Sequence, residues 1–457
     1  MISFIVMKNR NRKQLIYSIL YVFALTSCDQ FLEVTPKDSL STSEQVIVDR
    51  ASVESAIRGL YNALGDAGYY GTSFQSIGYL NGDNIQWTGS QSQVQEFINH
   101  RVNADNATIS AAWNAIYRTI NRANNIIASL PQIEDAQLTQ ALRDQYLGEA
   151  LAIRGLAYFD LARTWGGVPI VTVPTLEAGD NISIPRSTTA QTYNQAITDL
   201  SAAEPLLPET TDRYRVTKKT VWALKSRFAL YQQNFVEAEL QSSKLISDTR
   251  YRLLKPFNTF FTSNARGTDE SIFEIFYNGT TEVNNHRNQW QPQQNGGTRQ
   301  WAPNSALVAL LNDPTKGGTR STLIARDNQN RWYGNLYYRT PGSDPSYIIR
   351  FAELYLIRAE ARAQLDKLPE AISDLNAVRD RAGLQPLTGL VTKEDILLAI
   401  ENERRLEFAM EPHRWFDLVR TGRADDVLNV TESFRLVMPI PADQLLVDEV
   451  LEQTPGY

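Results

Sequence analysis

The chain has 457 residues, of which 42% are hydrophobic and 21% charged, with a formal net charge of -6. That length supports one large or two ordinary domains with substantial cores, and the acidic balance, without a Lys/Arg-rich tract after the first residues, argues against a nucleic-acid partner. A single cysteine rules out an internal disulfide, and the three histidines, His100, His286 and His413, lack metal-ligand spacing, so neither a metal nor a cofactor is expected.

The first element is a targeting signal. Lys8, Arg10, Arg12 and Lys13 precede an apolar run from Leu15 to Leu25, and the run ends in Leu25-Thr26-Ser27-Cys28. This is the order of a bacterial lipoprotein signal, in which the cysteine thiol takes a diacylglycerol. The run falls short of the roughly 20 apolar residues that span a bilayer. The alternative, a core strand ending in a buried thiol, does not account for the basic cluster or the small residues. Met7 opens a cleaner signal than Met1. The expected division is a signal peptide over 1–27, a lipidated tether over 28–42 and a single domain over 43–457.

Ser43 is a candidate cap for a helix whose apolar residues run from Val46 through Tyr61. Residues Gly65 to Asn106 are rich in Gly, Ser, Asn and Gln and hold Tyr69, Tyr70, Phe74, Tyr79 and Trp87, which reads as a long functional loop. Two helices follow at Ala111–Leu130 and Ala141–Trp165, each with one apolar face at a period near 3.6. Gly166-Gly167-Val168-Pro169 stops the second.

An internal echo comes next. Trp222–Ser247 and Tyr355–Arg381 both read as helix, short turn, helix, with turns at Gln233-Asn234 and Asp366-Lys367. At an offset of 133 residues Trp222 falls on Tyr355 and Glu237-Ala238 on Glu370-Ala371. A bulky aromatic in one helix against a small alanine in the next is the logic of tetratricopeptide pairs, which bury their faces by stacking on neighbours. Between the echoes, 251–345 is poor in helical pattern and reads as a loop-rich excursion, apart from a strand at Ser271–Tyr277. The scaffold is then 43–250 and 346–457, and the fold class is mainly α.

Several ordered blocks resemble the SusD/RagB family. They are Arg154-Gly155-Leu156-Ala157-Tyr158-Phe159-Asp160-Leu161 with Trp165-Gly166-Gly167-Val168-Pro169, the run Ile349 to Ala361, Leu375 to Gly383, Glu403 to Glu411, His413 to Gly422, and Met438-Pro439-Ile440-Pro441. With Cys28, the resemblance covers essentially the whole chain after the signal. It implies a scaffold of tetratricopeptide-like helical pairs with an irregular ligand-binding face. It also implies a lipid-anchored place on the outer face of the outer membrane in Bacteroidota. The implied task is capture of an oligosaccharide or polysaccharide for a SusC-like TonB-dependent transporter.

The charged motifs divide from the aromatic ones. Glu403, Arg404, Arg405, Glu407, Glu411, Arg414, Asp417 and Arg420 are expected to lock helices together through arginine–carboxylate forks. Glu401 and Arg405 are spaced for an i,i+4 pair. Trp113, Trp165, Trp222 and Trp415 lie on helical faces and belong to the core. Trp87, Trp290, Trp301 and Trp332 lie in polar sequence, where a large apolar ring is costly to leave wet. A sugar covers such a ring with its C–H face and satisfies its hydroxyls at a polar rim. The candidate ligand-binding residues are therefore Asp83, Asn84, Trp87, Arg287, Trp290, Trp301, Trp332 and Tyr333. Asp83 also matches an acidic position that the family resemblance implies. Trp301-Ala302-Pro303 has a second reading as the start of a helix through Leu311. Glycoside hydrolysis needs two carboxylates about 5–9.5 Å apart; no pair is set apart, and no GxSxG, Walker or GxGxxG motif occurs, so no catalytic residue is assigned. A tetratricopeptide scaffold for membrane assembly is the competing function.

Overall fold

The computed structural model describes residues 47–177, 179–262, 265–389 and 391–457. The signal, Cys28, the tether and Ser43 lie outside them. By contacts the chain divides into two units. One comprises Met1–Val46 with Leu176–Ala178, and the other comprises Ile47–Thr175 with Gly179–Tyr457. All the elements below belong to the second unit.

Its first half is helical. Helix α1 spans Arg50–Leu64 and begins with a capping box at Asp49 and Ser52. The stretch read as a loop is instead α2 (Ser73–Leu80), β1 (Ile85–Trp87) and α3 (Ser92–Ile98). Its aromatics explain the difference, since Tyr69, Tyr70, Phe74 and Tyr79 are all buried and order the chain around themselves. The Tyr69 and Tyr70 hydroxyls both donate to Asp160, at 2.7 and 2.8 Å. Helices α4 (Ala107–Ser129) and α5 (Gln140–Trp165) follow. From Tyr146 onward α5 is almost entirely buried, on every side rather than on one face. Its polar residues are accordingly paired: Arg154 forks onto Asp199 at 2.7 and 2.8 Å in α6 (Thr189–Ala203). Gly166, with φ 77°, ends α5 in a backbone conformation that favours glycine.

The echo is a true structural repeat. Helices α7 (Lys218–Tyr231) and α8 (Phe235–Ile246) form one pair. After the excursion, α11 (Phe351–Gln364) and α12 (Leu368–Arg381) form the other, and α11 packs on α8. Ala238 and Ala371 are both fully buried where the helices approach. The equivalence extends to the turns: Gln233 and Asp366, again 133 apart, adopt left-handed φ values of 58° and 60°. Helices α13 (Lys393–Glu407) and α14 (Arg414–Arg420) complete the scaffold.

The excursion carries α9 (His286–Trp290), α10 (Ser305–Asn312) and strands β2 to β5. Strand β2 (Ser271–Ile275) pairs antiparallel with β6 (Ser346–Arg350), β1 with β3 (Trp301–Pro303), and β4 (Ile324–Arg326) with β5 (Trp332–Gly334). Trp301 thus opens a strand, and Asn304 caps α10 by accepting from the Leu307 amide at 2.9 Å. Strand β2 is buried along its whole length, so the exposed face that alternation implied is covered.

Burial along β2 has an electrostatic consequence. Glu274 is buried, and its Oε1 accepts from the Gly267 amide at 2.6 Å while Oε2 has no hydrogen-bond partner among the described residues. Burial pushes this carboxyl up to about 7 from an ordinary value of 4.5. The protonated form therefore favours the fold. Its contribution is fully present below pH 4.5 and is lost as the pH rises through about 7. Glu274→Gln is expected to remove that loss, on the order of 3 kcal/mol, so that the variant gains on the parent as the pH rises from about 4.5 to about 7. Paired denaturant titrations across that range measure it, and parallel pH profiles would contradict it.

The charged motifs lock the excursion to the scaffold. Arg320, Arg350, Arg379 and Arg381 interleave with Glu270, Glu403, Glu407 and Glu411 in one buried network. Glu401 and Arg405 do not pair with one another. Glu401 accepts from Arg414 at 3.1 Å and Arg423 at 3.2 Å, because α14 folds back onto this face of α13.

Candidate functional site

An open cleft of about 750 Å³ lies in the excursion. One wall is α10, which turns Ser305, Val308, Ala309 and Asn312 toward it at i, i+3, i+4 and i+7 spacing. Opposite stands the β4–β5 hairpin. Asp327 shapes its turn by accepting from the amides of Gln329 and Arg331, at 2.9 and 2.8 Å, around a left-handed Asn330. The hairpin register sets Arg326 across from Trp332. The Arg326 guanidinium lies over the indole, 4.4 Å from the ring centroid. Arg299 completes this side and donates from Nε to the Trp332 carbonyl at 2.8 Å. Gln86, on β1, reaches the rim and donates to the Pro303 carbonyl at 3.0 Å.

The four candidate tryptophans separate sharply. Trp332 is half-buried and lines the cleft. Trp87 is half-buried at the neighbouring end of the β1–β3 ladder, where it pairs in register with Trp301. Trp290 and Trp301 are only 1% and 5% exposed. They form an aromatic core with Tyr79, whose ring centroid is 5.4 Å from Trp290 and 5.2 Å from Trp301. His286 and Tyr337 extend this core, stacked at 4.6 Å. Neither buried indole presents a face to solvent, so the sugar-stacking role that their polar surroundings suggested has no surface here. Tyr333, 8% exposed, also points away from solvent, as expected of the residue that follows an outward Trp332 on a strand.

The polar candidates serve the framework. Asp83 accepts from Arg414 at 2.7 and 3.2 Å and pairs with Arg405 at 3.1 Å. Burial would raise its carboxyl, but Arg414 and Arg405 outweigh that and hold it below the usual carboxylate range. Asn84 is buried and accepts from Arg405 at 2.8 Å. These two residues latch the β1 strand onto α13 and α14. Arg287 is buried and donates to the Tyr338 and Asn295 carbonyls and to Thr340 Oγ1, pinning loops together.

Sequence reasoning missed Arg299, Arg326, Arg331 and Asn330. A signal existed in the run Arg326-Asp327-Asn328-Gln329-Asn330-Arg331-Trp332, a turn-forming segment between an arginine and an aromatic. Arg299 carried a signal visible only in three dimensions. Its φ of 50° is left-handed, which costs a side chain of this size about 1–2 kcal/mol.

A second groove, of about 530 Å³, lies among the helical pairs and is lined in part by Phe235, Leu398, Glu360 and Arg420. Most of its charges are paired, with Arg420 on Glu360, Arg404 on Asp417 and Arg423 on Glu401, while the exposed Glu394 has no ion pair among the described residues.

Two family models match the chain. One, described as starch-binding associating with outer membrane, matches residues 30–230, and the SusD family model matches 271–435. A SusD-like protein of Formosa agariphila is 27% identical over 95% of this chain and 96% of its own length. One from Bacteroides ovatus is 23% identical over 89% and 82%. Among solved structures, a SusD superfamily protein from Bacteroides vulgatus superposes with a TM-score of 0.79 at 22% identity, covering 89% of this chain and 99% of that one. A laminarin-binding SusD-like protein superposes with a TM-score of 0.77 at 23% identity, covering 90% and 100%.

Proposed function

The chain belongs to the SusD family, and from that premise we propose that it is a cell-surface lipoprotein that binds glycan and delivers it to a SusC-like TonB-dependent transporter. Cys28 carries the lipid anchor and the outer membrane is its location. The protein binds its ligand without cleaving it.

The observation that carries the binding role is the cleft in which Trp332 stands at the surface among Gln86, Ser305, Asn312 and Asn330. An indole with hydrogen-bonding side chains around it matches the two-sided chemistry of a sugar ring. Laminarin binding by a relative of the same fold supports the ligand class. Trp332, with Trp87 beside it, is the stacking site. Asp83, Asn84 and Arg287 shape the site from behind through their scaffold bonds, and the buried Trp290, Trp301 and Tyr333 form its foundation.

Trp332→Ala is expected to weaken binding of a cognate oligosaccharide about threefold to tenfold, the range of one aromatic stacking contact, with little change in Tm. A glycan-array screen followed by calorimetry tests this. An unchanged affinity in the variant would remove the cleft as the site. The competing scaffold function would use the groove among the helical pairs. Most of its charges already pair with one another, leaving a partner chiefly Glu394 to pair with. Pull-down with Trp332→Ala, a change at the surface, separates the two functions: a scaffold keeps its partners, while a glycan receptor loses affinity for its ligand.

A further inference from the structure

Three arginines line the cleft, Arg299, Arg326 and Arg331, and no aspartate or glutamate lines it with them among the described residues. This is unusual in a chain whose formal net charge is -6 and most of whose buried arginines are matched to carboxylates, Arg287 being an exception. Arg331 is the one with an acidic partner, Asp327 at 2.8 Å. Among the described residues the Arg299 side chain hydrogen-bonds only to the Trp332 carbonyl. Arg326 donates to Asn330 Oδ1 and otherwise lies on the indole. Two guanidiniums thus meet at Trp332 with no carboxylate bonded to either among the described residues, the nearby Asp327 being bonded to Arg331.

At Arg299 the backbone holds this arrangement against its own preference. Arg299 and Asn330 both carry left-handed φ values, 50° and 62°, and both line the cleft. Strain at ligand-facing residues is a recurrent mark of function. Burial and the like charge of Arg331 hold the Arg299 guanidinium below its ordinary range, and Asp327 offsets that repulsion only in part. An anion relieves it, and a planar guanidinium fork is suited to a carboxylate or sulfate.

We propose that the cleft takes an acidic glycan, one whose carboxylate or sulfate groups are met by Arg299 and Arg326 while a sugar ring packs on Trp332. This rests on the glycan-binding function proposed above and narrows its ligand class.

The test is calorimetry on the purified protein with three probes of similar length: a neutral laminari-oligosaccharide, an oligogalacturonate and a sulfated galactan oligosaccharide. At least one acidic probe is expected to bind tenfold or more tightly than the neutral one. Which of the two does so distinguishes a carboxylate from a sulfate ligand. That affinity should fall about tenfold between low salt and 0.5 M salt, as expected of ion pairing at a solvent-exposed site. It should fall similarly in Arg299→Gln with Arg326→Gln, whereas Arg299→Lys should retain part of it. The salt series on the unmodified protein stands independently of whether the variants fold. Equal or tighter binding of the neutral probe, lost in Trp332→Ala, would overturn the acidic-ligand inference and leave glycan binding in place. Acidic binding indifferent to salt or to both arginines would overturn it as well. Absence of binding by all three probes and by a wider glycan array would overturn both.

Discussion

Replacing Glu407 by alanine is expected to cost about 3–5 kcal/mol of unfolding free energy at neutral pH, the range for removing one partner from a buried ion pair. Glu407 is fully enclosed and accepts from Arg320 Nε at 2.9 Å and Arg350 Nη1 at 3.2 Å, with Arg381 on the same carboxylate. Burial opposes its charge, but Arg381, Arg320 and Arg350 together hold its pKa at about 2. The network balances four arginines against four glutamates, so alanine leaves a buried cation without its counter-charge. Glu407→Gln should cost less, because the amide oxygen still accepts one hydrogen bond. A double-mutant cycle of Glu407→Met with Arg381→Met isolates the pairwise part, and the double variant should recover much of the loss. A loss below 1 kcal/mol for Glu407→Ala in denaturant titration would show that the network does not hold the excursion to the scaffold. Since Glu270, Arg320 and Arg350 lie outside the echo helices, the protein's melting should remain cooperative only while the network is intact.

Trp290→Ala and Trp332→Ala should differ sharply in their effect on stability, although both residues sit in similar sequence. Truncating Trp290 is expected to cost about 3–5 kcal/mol, as for other large aromatics removed from a packed core. The indole packs among Tyr79 and Trp301, and the Gly334 backbone presses so close that an added Cβ would lie 2.5 Å from the ring. Gln291 ties the same region by donating to the Gly334 and Tyr337 carbonyls, each at 3.0 Å. Because Gly334 ends the strand that Trp332 begins, loss of Trp290 should also blunt glycan binding by loosening the cleft wall. Trp290→Phe should retain more of both properties. Trp332→Ala should leave thermal stability nearly unchanged and reduce affinity alone. Equal losses of Tm in the two alanine variants, measured by calorimetric melting, would contradict the division into a surface ring and a core ring.

Helical periodicity, the 133-residue echo and the ordered arginine–glutamate blocks are local or one-dimensional patterns, and they located the scaffold from residues alone. Many of the helices carry a local signature in spacing or capping, as at Asn234, which accepts from the Glu237 amide at 3.2 Å. The arginine and glutamate runs were legible as structural for the same reason: their number and helical placement demand mutual satisfaction once buried. Contacts across long separations were not legible. Tyr79 buries Trp290 and Trp301 from more than 200 positions away, and no local composition announces that. Asp83 stood near Trp87 in sequence and is claimed by Arg414, which enters only when α14 folds back. Composition and periodicity therefore determined the helical architecture and the kinds of side chain available for recognition. The tertiary structure decided which ring stays at the surface and which cations remain unbonded to a carboxylate, because burial and ion pairing depend on what the rest of the chain brings alongside.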